Sequence, residues 1–294
     1  MSLVRIDAIP TQYHAVPVMQ KNVLRLGAGK SRTRVDLAGR PLDVGQMFPI
    51  RDHNPSEKTP YVTYVLIAAN IIIFLSYWHL FSDDRALARF WFDWALIPEN
   101  VTDGRGLSGL VTSMFLHGGF LHLAGNMLFL WIYGDNIEED LGHFGFAAFY
   151  LACGVGAGLI HVASEPYSLV PTVGASGAIA GVMGGYLLMY PKARIDVFFF
   201  FLVFFKIWPI RAWIILGLWI AMQIFAGLTT PADISGVAHW AHIGGFALGM
   251  VLILPVWLAR GGTAFWNKTG GHPDHPEAKY RLSQSRIPTI RKRP

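Results

Sequence analysis

From Tyr61 onward the chain is dominated by long apolar runs separated by short polar breaks, and no such run precedes that residue. A hydrocarbon core of about 30 Å takes roughly 20 apolar residues wound as a helix. Six stretches read as spans of this kind: about 60–80, 119–138, 144–163, 175–190, 210–228 and 239–259. Two further apolar segments fit the pattern less well. Val197–Phe205 is continuously apolar, but a helix of that length reaches only about 14 Å at 1.5 Å per residue. It is expected to lie at the inner interface or to lengthen the fifth span. The segment 81–108 carries Trp91, Phe92, Trp94, Leu96 and Ile97 but is interrupted by Asp83, Asp84, Asp93 and Glu99. It is expected to lie among the lipid headgroups as an outer loop between spans one and two.

Composition agrees with this reading. The chain is 53% hydrophobic and 15% charged, well below the ~25% charged residues of ordinary soluble domains. A soluble enzyme, a disordered scaffold and a disulfide-stapled secreted domain all fit poorly. The single cysteine, Cys153, forms no internal disulfide and reads as a small packing residue. The fold class expected is an all-α polytopic membrane protein with six transmembrane helices (residues 60–260). A basic, disordered N-terminal segment (1–59) and a basic C-terminal tail (261–294) flank it. With no early apolar run, the span beginning at Tyr61 is expected to act as an uncleaved signal anchor.

Charge sets the orientation. Nine Lys or Arg residues fall in 1–60, eight in 260–294 and only seven between. Basic ends around an apolar middle fit the cytoplasmic-positive bias of membrane proteins better than a nucleic-acid surface. Both termini are therefore expected in the cytoplasm, with the plasma (inner) membrane as the location. The basic ends suit contact with anionic lipid, and no nucleic-acid partner is expected.

Polar groups inside lipid are costly, and four stand out: His122, Asn126, Ser176 and His242. His122 and Asn126 are four residues apart and share a helix face. Ser176 lies in Gly174-Ala175-Ser176-Gly177, where a loop turns into a helix whose free N–H groups favour developing negative charge. Gly177, Gly181 and Gly185 form a column of small residues beside Ser176, and Ala241, Gly245 and Gly249 form another beside His242. Facing columns would let the helix backbones approach closely and bring Ser176 and His242 to one depth. A serine within reach of a neutral imidazole is a nucleophile–base pair. His122, the Asn126 amide and the Ser176 N–H could then stabilise an oxyanion. No carboxylate occurs in spans four or six, so a dyad is expected instead of a triad.

Taken singly, each feature has a plainer explanation. A serine in a membrane helix commonly bonds its own preceding turn, glycine columns pack helices, and His122 and Asn126 could tie helices together. His239, one turn before His242, could orient it but is more simply a packing residue. His117, His122, His239 and His242 lack the companions of a metal site, so neither metal nor cofactor is expected.

Taken in order, His117-x4-His122-x3-Asn126, Gly174-Ala175-Ser176-Gly177 and Ala241-His242-x2-Gly245-x3-Gly249 resemble the rhomboid family of intramembrane serine proteases. The resemblance covers roughly residues 60–260 and looks like the six-span prokaryotic form. It implies that Ser176 is the nucleophile and His242 the base, with His122, Asn126 and Gly174 around the oxyanion. By the same likeness His117 is supportive. Many members carry a Trp-Arg pair in the first outer loop; here that region reads Arg105-Gly106-Leu107-Ser108-Gly109. The expected activity is endoproteolysis of membrane proteins in or near their spans, through an acyl-enzyme. The rival expectation is a silent relative that binds membrane helices without cutting them.

Overall fold

The computed structural model describes residues 46–201, 204–230, 236–274 and 276. Strand β1 (Gln46–Asp52) leads into helix α1 (Tyr61–Tyr77), which tightens into a 3-10 turn at Trp78–Ser82. Three short helices follow: α2 (Asp84–Trp94), α3 (Pro98–Thr102) and α4 (Gly109–Thr112). Asp83 starts α2 by accepting the Arg85 and Ala86 N–H groups on its carboxylate. Helix α5 (Phe120–Ser164) runs for 45 residues but is broken at Gly142, whose φ of 69° and ψ of 166° interrupt the helical path. It is thus two arms of near-equal length. Then come α6 (Ser176–Met189), the hairpin β2 (Arg194–Phe201) and β3 (Phe204–Arg211), α7 (Ala212–Thr229), α8 (His239–Ala259) and α9 (Thr263–Thr269).

Every stretch read as a span is helical. Among the described residues, four helices are long and apolar enough to cross a membrane: Tyr61–Ser82, Phe120–Ser164, Ala212–Thr229 and His239–Ala259. Helix α6 is shorter, at 14 residues, and is the hub: Ala178 through Tyr186 are buried without interruption between α5 and α8. Its glycine face explains how. A Cβ built on Gly245 or Gly249 would fall inside the backbone of Gly177 or Gly181, and one on Gly181 would overlap Cys153. The two columns face one another as their spacing suggested, and α6 and α8 meet backbone to backbone. Helix α7 is the opposite case. Only Ala212 and Leu216 are buried along it, and its main neighbour is α8.

The expectation of an all-helical chain fails at one place. The described residues of Val197–Phe205 do not extend the fifth span as helix; 197–201 lie in β2 and 204–205 in β3, and the run of Phe and Val favours the extended backbone. β1 adds to the other edge of β2, giving an antiparallel sheet of order β1-β2-β3. Asp196, buried on β2, accepts from Arg51 Nε at 2.7 Å and lies 2.6 Å from His53 Nε2. These contacts pin the register. Residues 46–52, read as part of a disordered segment, are therefore ordered by strand pairing with a distant partner. The start of the C-terminal tail is ordered too, because α9 buries Phe265 and Trp266 donates to the Leu188 carbonyl at 3.0 Å. Of the two basic segments, residues 1–45, 275 and 277–294 lie outside the described residues.

Around the C-terminal end of α6 the sheet meets the bundle through polar contacts. Asp52 accepts from Asn136 Nδ2 at 3.0 Å and from the Tyr186 hydroxyl at 3.3 Å. Burial, and then the nearby Asp135 carboxyl, hold the Asp52 carboxyl well above the usual carboxylate range. Arg260 pairs with Asp140 at 2.7 Å, and the Tyr190 hydroxyl donates to the same carboxylate at 2.6 Å.

Candidate active site

Ser176 is the first residue of α6, so the helix presents its unpaired first-turn N–H groups beside the hydroxyl. The loop that delivers it is tied down from two sides. Thr172 and Leu96 exchange backbone hydrogen bonds of 3.0 and 2.8 Å, and the Gly174 N–H donates to the Ser113 carbonyl at 2.9 Å. Gly174 has φ 137°, a conformation that side-chain-bearing residues rarely adopt.

The structure brings Ser176 and His242 together: Oγ and Nε2 are 2.8 Å apart. His242 lies one turn into α8, at the level set by the contact of Gly245 with Gly177. Its other nitrogen, Nδ1, is 2.9 Å from Gln223 Oε1 on α7. The same oxygen lies 2.8 Å from His239 Nδ1. The indole of Trp219, also on α7, is tilted over the His242 ring with centroids 5.7 Å apart.

His122 approaches from the start of α5. Its Nδ1 accepts the Gly118 N–H at 3.3 Å, which leaves the ring proton on Nε2. A Cβ on Gly174 would come within 2.8 Å of that Nε2 and 3.5 Å of Ser176 Oγ, so the imidazole occupies space that only glycine leaves open. His117 backs it edge-on, ring centroids 5.1 Å apart. The Tyr77 hydroxyl holds the His117 backbone, accepting from its N–H at 2.7 Å and donating to its carbonyl at 3.0 Å.

Ser176, His242, His122, Gly174 and Gly177 line one cavity of about 430 Å³ that extends to Trp91 of α2 and to Val237 before α8. Asn126, one turn beyond His122, is not part of that lining. Its amide nitrogen is buried and has no hydrogen-bond acceptor among the described residues. Chemically, the arrangement offers an alcohol beside an imidazole, a second imidazole with its N–H toward the same space, and a helix N-terminus. Gly181, Gly185 and Gly249 serve packing further along α6 and α8.

Gln223 escaped the reading of the sequence. It sits alone in the apolar run Ala221-Met222-Gln223-Ile224-Phe225. The test that singled out His122 and Asn126, a polar side chain inside a span, applies to it equally.

A sequence description of the rhomboid domain matches residues 104–259. Relatives include the rhomboid-like protein 11, chloroplastic, of Arabidopsis thaliana, 34% identical over 159 residues, covering 50% of this chain and 51% of that protein. The human presenilin-associated rhomboid-like protein, mitochondrial, is 28% identical over 192 residues, covering 63% of this chain and 45% of its own. The mitochondrial rhomboid protein 1 of Saccharomyces cerevisiae is 27% identical over 201 residues, covering 65% and 51% respectively. The chain thus spans about half the length of these curated relatives.

Proposed function

The chain belongs to the rhomboid family, and on that premise we propose that it is an intramembrane serine endopeptidase. The observation that carries this reading is the 2.8 Å approach of Ser176 Oγ to His242 Nε2 at the N-terminus of the apolar helix α6.

In this mechanism His242 Nε2 takes the Ser176 proton as Oγ attacks a peptide carbonyl, and returns it to the leaving amine. The oxyanion is received by the His122 Nε2–H and the Ser176 N–H, and Asn126, one turn beyond His122 on the same helix face, supports this site from outside the cavity lining. Water then releases the acyl group, entering through the cavity over Ser176. Substrates are membrane proteins whose spans unwind readily near the cut, because a helix hides its carbonyls in its own hydrogen bonds. Gly or Pro near the scissile bond favours that unwinding.

The two arms of α5 each cross the bilayer in this reading, and α6 makes the fourth of six spans. Lys192, Arg194, Lys206 and Arg211 then join the basic termini on the cytoplasmic side, while Arg85, Arg89 and Arg105 stay outside. Segment α2–α4 lies in the outer headgroup layer. A silent helix-binding relative would have no need of the paired serine and histidine.

The test is cleavage of a fluorescent single-span substrate by the purified chain in liposomes, beside Ser176→Ala and His242→Ala. Cleavage lost in both variants supports the mechanism; cleavage that survives Ser176→Ala sinks it.

A further inference from the structure

Between Ala212 and Leu228, α7 carries no charge and a single amide side chain, that of Gln223. An uncompensated amide in an apolar span is costly, so its partners matter. Its carbonyl oxygen faces two imidazole nitrogens, His242 Nδ1 at 2.9 Å and His239 Nδ1 at 2.8 Å. A carbonyl has two lone pairs and accepts from both.

The consequence for His242 is a choice of tautomer. A neutral imidazole carries one proton, and the acceptor opposite Nδ1 draws it there. Nε2 then keeps its lone pair and points it at the Ser176 hydroxyl 2.8 Å away. Without that acceptor the proton is equally at home on Nε2, where the ring donates to Ser176 and accepts nothing from it. His239 contributes by sharing the oxygen, which fixes the amide so that its NH₂ does not turn toward the rings. An amide does this without adding negative charge, so the base is oriented but its protonated form gains no ion pair.

We propose that Gln223 is the positioning residue of the Ser176–His242 pair, holding the His242 proton on Nδ1. The proposal rests on the protease reading above. It also places the orienting group on the most loosely packed of the long helices. Helix α7 meets α8 through Trp219 and Gln223, both against His242. The serine's readiness therefore depends on where α7 sits, and a displacement of α7 would release the histidine before any substrate bond is touched.

Two measurements on the full chain in liposomes test it. The first reads the histidine directly: ¹⁵N-histidine solid-state NMR of the wild type, with the His242 signals assigned by their loss in His242→Gln. The Nδ1–H tautomer is expected in the wild type, and a mixture of both tautomers in Gln223→Leu. This readout stands even if no substrate is ever cut, so it separates failure of the proposal from failure of the protease reading. The second reads turnover of a single-span substrate. Gln223→Leu is expected to lower kcat about 10- to 100-fold, the scale of loss when a metal-bound imidazole is deprived of the partner that orients it. KM should stay unchanged, and the kcat loss should exceed what any fall in the thermal unfolding midpoint accounts for. Gln223→Glu should restore most of kcat, since a carboxylate oxygen accepts the same proton. It should also move the acidic limb of the pH–rate profile upward by about one unit, because the new charge favours the imidazolium. Among the described residues the ionisable groups that act on His242 are His239 on its own helix and His122 and His161 from α5, while Asp84 and Glu165 line the wider cavity. An unaltered tautomer in Gln223→Leu overturns the proposal. So does a kcat loss that follows the unfolding midpoint and is not rescued by Glu, which would make Gln223 a packing residue.

Discussion

Helix α1 begins without a side-chain cap of its own, because Pro60 stands at the capping position. The function is supplied from α5. Glu138 Oε1 accepts the Val62 N–H at 2.8 Å, and Oε2 accepts the Thr63 N–H at 2.8 Å and the Thr63 hydroxyl at 2.7 Å. The His143 ring adds a fourth contact at 2.6 Å to Oε1. The carboxylate is 1% exposed, so little water is available to replace it. Glu138→Ala leaves two backbone donors and a hydroxyl without an acceptor. Each orphaned buried donor costs about 1–3 kcal/mol. Val62 is half-buried and recovers part of its loss from solvent, so about 3–5 kcal/mol is expected in total. Glu138→Gln keeps one accepting oxygen and should cost roughly half as much. The assay is reversible unfolding in mixed micelles with increasing SDS, followed by tryptophan fluorescence and circular dichroism, with Thr63→Val completing a double-mutant cycle. A loss below about 1 kcal/mol for Glu138→Ala would refute the capping argument. So would additivity with Thr63→Val, since the two groups share a hydrogen bond.

The same titration compares two glycine replacements. Gly249→Ala places a methyl inside the backbone of Gly181 and is expected to cost about 1–3 kcal/mol by forcing α6 and α8 apart. Gly217→Ala on α7 meets nothing within 4 Å and should gain about 0.5–1 kcal/mol from helix propensity. Gly174→Ala combines a disfavoured φ with a methyl pressed on His122 Nε2, and kcat in liposomes should fall about 10²- to 10³-fold, as for loss of an oxyanion donor. Asp52, whose carboxyl pKa is raised in the fold, keeps its proton where the unfolded chain has already released it. Its contribution to stability is therefore full below about pH 4 and is lost as pH rises through the raised value. Unfolding measured from pH 4 to 8 should show a gentler decline with rising pH in Asp52→Asn.

The helices were legible because the lipid-facing and core-facing residues of a span are both apolar, so a run of about 20 betrays it whatever its neighbours do. Ser176, His242 and His122 were legible for the complementary reason, being polar where polarity is costly. The facing of the glycine columns followed from four-residue spacing and from the need of Ser176 and His242 for one depth. What failed was local pattern without length. Nine consecutive apolar residues show no alternation, and periodicity does not separate a short buried strand from a piece of helix. One of the two partners of β2, residues 46–52, mixes Met47, Phe48 and Ile50 with Gln46, Arg51 and Asp52 and lies far away in the chain. Glu138 was invisible as a cap for the same reason, since it precedes no helix that it caps. Gln223 was visible in principle but has meaning only once α7 is placed beside α8.

The sheet also imposes an order in time. Arg51 and its partner Asp196 are 145 residues apart. At about 5–20 residues per second of synthesis, β1 waits on the order of ten seconds or more before β2 exists. In that interval α1, both arms of α5 and α6 have all been made, and contacts among them are closer in sequence than the strand pairing. The β1–β2 ladder is therefore a closing event, formed on a bundle already under construction. A nascent chain arrested before residue 194 has the Ser176 loop in hand and the strand that belongs beneath α6 still unmated.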